Sequence, residues 1–493
     1  MITQTRIVSA MIEQGAMTRQ QFFEQEIKRW KGSETRKNQL TGDAYYRGKH
    51  DILERKRTAI GQSGELREVK NLPNNKIIDN QYAKVVDQKT NYLLGKPFTY
   101  QTGEAKGAQP YHKALEPMFN RKFKRTLQNL GEDSLNGGIG WLYIYPDEDG
   151  VLGFRRFAPY EVLPFWEDDE HTELDCLVRV YEAMVYEGAE VKTIERVEAY
   201  TKDGVEHYLL IDGELKTDPD NPKADYLKRS DGKGSETMHN WERIPIVAWK
   251  YNNEEIPLIC KVKSLQDAIN ITLSDFQNNM QEDSRNTILI IRNYDGADLG
   301  EFRHNLAAYG AVKVRSEDGA NGGVDALRVE VNAENYRTIL EILKRAMIEN
   351  AMGFDAKDLR SSTPNQMNIQ SMYSDVDLDA NGMETEFQAS FEQLLWFINV
   401  HLTNGGKDDF SGKTLEVVFD RDMMMNESDA VENAKKSVGI LSRESIIAHH
   451  PWVADAETEL ERLAKDRKEE FDEYRDAFPK SGKKPEGIED AES

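Results

Sequence analysis

Residues 363–402 read TPNQMNIQSMYSDVDLDANGMETEFQASFEQLLWFINVHL. Thr363 suits a side-chain cap, Pro364 suits the first helical position, and Gln366 completes a T-x-x-Q capping box. Ile369, Met372, Tyr373, Val376, Ala380, Met383, Phe387, Phe391, Leu394, Ile398 and Leu402 then recur on one helical stripe. The pattern predicts a single helix of about ten turns, roughly 55 Å long at 1.5 Å per residue. Globular helices usually run about 8–20 residues. A helix beyond that range is a strut, packed along its length against something large.

Upstream, the pattern predicts a helix from about Asn332, with Tyr336, Ile339, Leu340, Leu343, Met347 and Ile348 on one side. It is expected to end at Gly353, the residue type that best tolerates a left-handed C-terminal cap. GFDAKDLRSST (353–363) reads as the loop between the two helices. Further upstream, SLQD (264–267) predicts a capped helix start at Ser264, and Leu265, Ala268, Ile269, Leu273, Phe276 and Met280 carry helical spacing to about Arg285. A small α/β insert lies between: strand TILIIR (287–292), helix LGEFRHNLAAYG (299–310), strand AVKVR (311–315), loop SEDGANGGVD (316–325) and strand ALRVEV (326–331). Helix, insert, returning helix, loop and long helix together describe a projecting stalk with a cap. Such a pair exposes too much apolar surface to stand alone, and heterologous contacts between copies in a closed ring would cover it.

On the N-terminal side, residues 1–60 are polar and helix-prone. Asp79–Leu94 carries an apolar face through Tyr82, Val85, Val86, Tyr92 and Leu93. WLYIYPDEDGVLGFRRF (141–157) is a hairpin signal around Asp-Gly, and CLVRVYEAMVY (176–186), ERVEAY (195–200) and HYLLI (207–211) continue the strands. Residues 216–236 read as a loop by composition. TLEVVFD (414–420) predicts a strand, and the part after it is helical, with a stripe through Leu460, Leu463, Phe471 and Tyr474. PKSGKKPEGIEDAES (479–493) lacks apolar content and is expected to be disordered.

With 493 residues the chain should hold two to four structural units. It has 64 basic and 87 acidic residues, a net charge of −23. A protein that grips nucleic acid by neutralising phosphates usually has the opposite sign; a surface past which DNA slides without sticking does not need it. Cys176 and Cys260 stand far apart with no metal-ligand spacing, which excludes a disulfide framework or zinc ribbon and fits a reducing compartment. The N-terminus lacks the apolar core of a signal peptide, and no window approaches the ~20 apolar residues that span a bilayer. The expectation is a protein that is cytoplasmic as made and has no membrane partner.

Three stretches invite chemistry. Gly95-Lys96 suggests a phosphate loop, but a helix precedes it and Pro97 follows where Ser or Thr should stand, so it reads as a helix stop. In DVDLDANGMETE (375–386), Asp375, Asp377, Asp379 and Glu386 match calcium-loop positions 1, 3, 5 and 12. The sixth position is Ala380 instead of Gly, and the apolar stripe runs straight through, which favours a solvated acidic helix face. His449-His450 has no third ligand or HExxH-type Glu nearby. No nucleophile motif or dinucleotide fingerprint is present. The reading assigns no catalytic residue, no cofactor and no metal beyond that weak acidic candidate; nothing supports an enzyme.

YYRGKHDIL (45–53), IIDNQYAKVVDQKTNYLLGKPF (77–98), PYEVLPFW (159–166) and MNIQSMYSDVDLDANGMETEF (367–387) resemble the portal proteins of tailed bacteriophages, of the SPP1 type. The likeness extends from about residue 40 to about residue 475, and its order of helices, insert and loop is similar too. The resemblance implies an α+β, predominantly α-helical portal fold, with subunits in a dodecameric ring around a central channel at one capsid vertex. It implies a wing from 1–263, stem helices at 264–285 and 332–352, a clip at 286–331, a tunnel loop at 353–363, a long wing helix at 364–404, a wing strand within 405–425, and crown helices at 426–478. Double-stranded DNA would be packaged and ejected through the channel. Phe354, Asp355, Lys357, Asp358, Leu359 and Arg360 of the tunnel loop would face it, with the two cations touching phosphates transiently and the acids preventing a sticky ring. Asn293, Asp295, Glu317, Asp318 and Asn321 of the clip would meet the terminase large subunit, then a head-completion adaptor and the tail. Major capsid and scaffolding proteins are further implied partners, the virion is the implied location, and assembly would take place in the host cytoplasm. The rival readings are another oligomeric capsid or tail protein, and a metal-dependent nucleic-acid-processing enzyme using the 375–386 carboxylates.

Overall fold

The structure is a computed structural model. It describes residues 15–467 apart from 16, 61–63, 71, 103–107, 148–149, 189, 231–235, 284–287, 293–297, 310–312, 316–322, 328–331, 356–365, 414, 422–426, 449, 451, 454–458 and 461. Two compact units divide the chain, one of Met1–Asp355 with Asp375–Asp422, the other of Ala356–Ser374 with Met423–Ser493.

In the first unit, α1 (Arg19–Lys31) is opened by a reciprocal capping box of Thr18 and Gln21, and α2 (Glu34–Tyr46) by Ser33. Helix α3 (Gln81–Leu94) is capped by Asn80 and buries the predicted Tyr82, Val85, Val86, Tyr92 and Leu93, together with Lys89 and Thr90. It stops at Gly95, and β1 (Thr99–Thr102) follows. Helices α4 (Ala108–Leu115) and α5 (Arg121–Gly137) come next. Gly42 of α2 lies so close to the Asn136 backbone that a Cβ there would overlap its carbonyl, which sets the close crossing of α2 and α5.

The predicted hairpin is β2 (Ile139–Pro146) with β3 (Leu152–Phe157), and β9 (Ile246–Lys250) pairs on the other side of β2. Between them runs an antiparallel meander: β4 (Val162–Trp166), β5 (Leu174–Glu187), β6 (Glu190–Thr201), β7 (Gly204–Ile211) and β8 (Glu214–Thr217). Residues 216–236 are not one loop. Thr217 ends β8, Lys223–Ala224 pairs with β7, and Leu227–Ser230 pairs with Glu236–His239. Backbone pairing there prevails over a turn-rich composition.

Helix α6 (Ile259–Asp283) leads to β10 (Ile288–Arg292), α7 (Leu299–Tyr309) and β11 (Gly323–Leu327), and α8 (Ala333–Asn350) follows. Strand β11 starts earlier than ALRVEV suggests, because Gly323-Val324-Asp325 complete the antiparallel register with β10 from Arg292 to Ile290. Of AVKVR, residues 313–315 are described, and only Val314 makes a bridge. Helix α6 also starts earlier than Ser264, because Leu258, Ile259 and Val262 are buried and the Leu258 amide donates to the Leu135 carbonyl. Ser264 is an exposed residue of its second turn.

The predicted strut is α9 (Gln366–Asn404), 39 residues or about 58 Å. Its buried face includes Val376, Met383, Phe387, Phe391, Leu394 and Ile398. Trp249 of β9 meets Phe387 and Phe391 edge-on at 4.9 and 5.0 Å, and Phe98 lies 5.2 Å from Phe391. Strand β12 (Leu415–Val418) pairs with β1 and covers this cluster with Phe419. The second unit contributes α10 (Glu427–Lys436) and α11 (Arg443–Ala448), with further helical residues at 459–460 and 462–467. Phe471, Tyr474 and residues 479–493 lie outside the described residues.

Candidate functional site

The loop between α8 and α9 begins from a rigid root. Gln88 of α3 holds Phe354 by both backbone groups: its amide nitrogen donates to the Phe354 carbonyl at 2.7 Å, and its Oε1 accepts from the Phe354 amide at 3.0 Å. Next to it, Lys89 Nζ donates to the Met352 carbonyl at 3.2 Å. The left-handed residue at the end of α8 is therefore Met352, with φ 50°, and not Gly353. Gly353 serves another need: Gln88 Oε1 sits 3.2 Å from where its Cβ would be, so a side chain would crowd the clamp. A non-glycine residue in this region is strained and persists where its surroundings over-determine it. Gln88 and Lys89 supply that constraint.

Lys89 is 3% exposed and pairs with Asp379 of α9, 10% exposed, at 2.6 Å. Tyr251 donates to the other Asp379 oxygen at 2.8 Å. Burial pulls the Lys89 ammonium below its usual range, and the Asp379 carboxylate opposes that shift. Two residues earlier, on the opposite side of α9, Asp377 accepts from Tyr92 at 2.9 Å and from Arg421. Arg421 also bridges to Glu384 at 2.6 Å. Burial, then the bond to Asp377, push the Tyr92 hydroxyl up to about 12.

The acidic run 375–386 is thus continuous helix, not a calcium loop. At 100° per residue Asp375 and Asp379 share a face of the helix, while Asp377 stands on the opposite side. Asp375 is exposed, Asp377 and Asp379 are committed to Arg421 and Lys89, and no group of three potential ligands converges among the described residues. His450 lies beside Trp452, their rings 5.5 Å apart, and His449 lies outside the described residues.

A second device strengthens α6. Ile259, Val262 and the predicted Ile269 are buried, and beside them runs a fully buried polar stripe: Gln266, Asn270, Ser274 and Asn278. The predicted Leu265, Ala268, Leu273 and Phe276 are only half-buried, and Met280 is exposed. The polar stripe grips the extended segment 75–79. Asn278, Ser274 and Asn270 accept the amides of Asn75, Ile77 and Asp79 at 2.7, 2.9 and 3.1 Å, and Gln266 accepts that of Tyr82 at 2.9 Å. Four helical residues advance about 6.0 Å and two extended residues about 6.6 Å, so from Asn278 to Asn270 every fourth side chain meets every second amide, and Gln266 then takes an amide in the first turn of α3.

His50 closes this ladder. The Asn270 amide reaches its Nδ1 at 2.8 Å and the Tyr45 carbonyl its Nε2 at 3.0 Å, which suits a neutral ring protonated on Nε2. Burial holds its pKa below the usual 6.5. The unfolded chain then binds the proton more readily, so this contribution is complete above pH 6.5 and is lost as pH falls through and below that value. Thermal unfolding between pH 7.5 and 5 is expected to show a loss of stability that His50→Gln reduces. An unchanged pH slope would contradict this.

Of the loop residues named from sequence, Phe354 is 8% exposed at the clamped root, and Asp355 beside it is half-buried. Lys357, Asp358, Leu359 and Arg360 lie outside the described residues, as do Asn293, Asp295, Glu317, Asp318 and Asn321 of the insert. Sequence reasoning missed Gln88 and Lys89, although both stand in the 77–98 block that carried the resemblance. A lysine at position 89, on the same side as Val85, Val86 and Leu93, was the available signal.

A family model described as phage portal protein, SPP1 Gp6-like, matches residues 27–472. The portal protein of Bacillus phage SPP1 is 27% identical over 443 residues, covering 88% of this chain and 84% of that protein. The portal protein of Clostridium phage phiCD119 is 27% identical over 438 residues, covering 86% and 91%. The matched range takes in both α6–α9 and the 77–98 block.

Proposed function

We propose, from the premise that this chain belongs to the SPP1 Gp6-like family of phage portal proteins, that it forms a dodecameric ring at one capsid vertex through which double-stranded DNA enters and later leaves. The family match along residues 27–472 carries this reading. The element order α6, insert, α8, loop, α9 supports it.

In this reading α6 and α8 are the stem, and the insert from β10 to β11 is the clip that meets the terminase large subunit and then the adaptor and tail. The loop after Phe354 lines the bore. A motor that moves DNA of any sequence needs a channel without base-reading contacts or a deep positive well. Lys357 and Arg360 offset by Asp355 and Asp358 meet that need. The Gln88 clamp gives the loop a fixed base, so that force on its tip reaches α3 and the buried Lys89–Asp379 pair. ATP hydrolysis belongs to the terminase, and capsid and scaffolding proteins surround the ring. Negative-stain imaging of the purified chain tests the reading: closed rings of about a dozen subunits with a central hole are expected, and monomers under every salt condition would contradict it.

A further inference from the structure

The β5–β6 hairpin runs past the sheet that holds it. Strand β4 pairs with β5 only between Leu174 and Arg179, and β7 pairs with β6 only between Glu195 and Thr201. Beyond these limits β5 has a free edge from Val180 to Glu187 and β6 one from Glu190 to Ile194, so the ribbon paired only with itself starts at Ala183 opposite Ile194 and is roughly 13 Å long. A lone two-stranded ribbon is marginal in water, and free edges invite pairing. Met184, Tyr186 and Val191 are 76%, 78% and 54% exposed, and Tyr186 stands directly opposite Val191 in the register, so the three share one face. Glu182 is exposed on that face, and Glu190 is exposed at the turn.

Elsewhere on the same unit the charge is reversed. Helix α5 opens with Arg121, Lys122, Lys124 and Arg125, and no acid stands in its first turn. Cations at a helix N-terminus oppose the helix dipole. Among the described residues none of these four is in an ion pair; Lys124 sits over the Phe98 ring. Lys124, Arg125 and Lys96 line a cleft of about 200 Å³ with Pro97, Phe98 and Phe419, and no acidic side chain lines it. In a chain of net charge −23 such a cleft is an outlier.

A ring needs two different surfaces that fit each other, one on each side of every subunit. We infer that the 180–194 arm of one copy docks in the Lys96/Lys124/Arg125 cleft of the next, with the apolar face of the arm on the aromatic floor and its carboxylates against the cations. This inference rests on the ring assembly proposed above and names the contact that closes it.

The test uses the full chain. Charge reversal of the arm (E182K/E190K) or of the cleft (K124E/R125E) is expected to raise the concentration for half-assembly about tenfold or more, and combining the two is expected to restore it. A second readout does not depend on those variants. Chains with Tyr186→Cys are mixed with tagged chains carrying Lys124→Cys, all with Cys260→Ser, and mild oxidation is expected to give a mixed disulfide. Rings of normal stability in every variant, with no mixed disulfide, would overturn the docking while leaving the ring intact. If K124E/R125E weakens binding to a DNA duplex and leaves assembly unchanged, the cleft serves phosphates instead and the inference fails. Absence of rings in the unaltered chain would overturn the ring reading itself.

Discussion

Lys89→Met is expected to cost about 3–5 kcal/mol of stability, because it leaves the Asp379 carboxylate buried without its cation. Among the described residues Tyr251 would remain as its hydrogen-bond partner. The loss is larger than that of an exposed pair, worth about 0.2–1 kcal/mol, because water does not replace the lost partner. It also removes the donor to the Met352 carbonyl, so the strained turn after α8 loses one of its restraints. Adding Asp379→Leu should recover most of the loss, since two apolar groups leave no charge to desolvate. Denaturant unfolding of the two variants checks this. Equal stability of the single variant and the parent would show that the pair does not hold α3 to α9.

Deletion of residues 355–360 is expected to reduce DNA packaging to background while rings still assemble. The clamp on Phe354 and the start of the described part of α9 lie outside the deleted stretch, so both Gln88–Phe354 bonds remain. What disappears is the stretch holding Asp355, Lys357, Asp358 and Arg360. A packaging assay with the cognate motor and a parallel measurement of ring size separate the two effects. Normal packaging by the deleted ring would show that the loop does not act on DNA. Loss of rings would place these residues in an interface instead.

The long α9 was legible because eleven apolar residues keep helical spacing from Ile369 to Leu402, and the β2–β3 hairpin because two β-rich runs flank Asp-Gly. The polar face of α6 was not, since it is amide and hydroxyl and its partner is the backbone of segment 75–79, far away in sequence. Periodicity weighs apolar side chains and is blind to a polar face satisfied by an extended chain. Gly353 misled for a related reason: glycine there answers to the approach of Gln88, not to its own φ. The candidate site was half legible. The loop could be placed between two helix signals, whereas its clamp depends on a side chain 266 positions away. The Gly95-Lys96 stop and the 77–98 block were visible as a family mark, and the fold gives that block a task, holding the root of the loop.

The most direct test of the central claim is a side-chain-resolution electron microscopy reconstruction of the assembled ring. The expected map shows residues 356–360 of every subunit at the bore, with Gln88 bonded to both backbone groups of Phe354 behind them. A map in which this loop faces away from the channel, or in which Phe354 has left Gln88 and the bore is lined by other residues, would contradict the account.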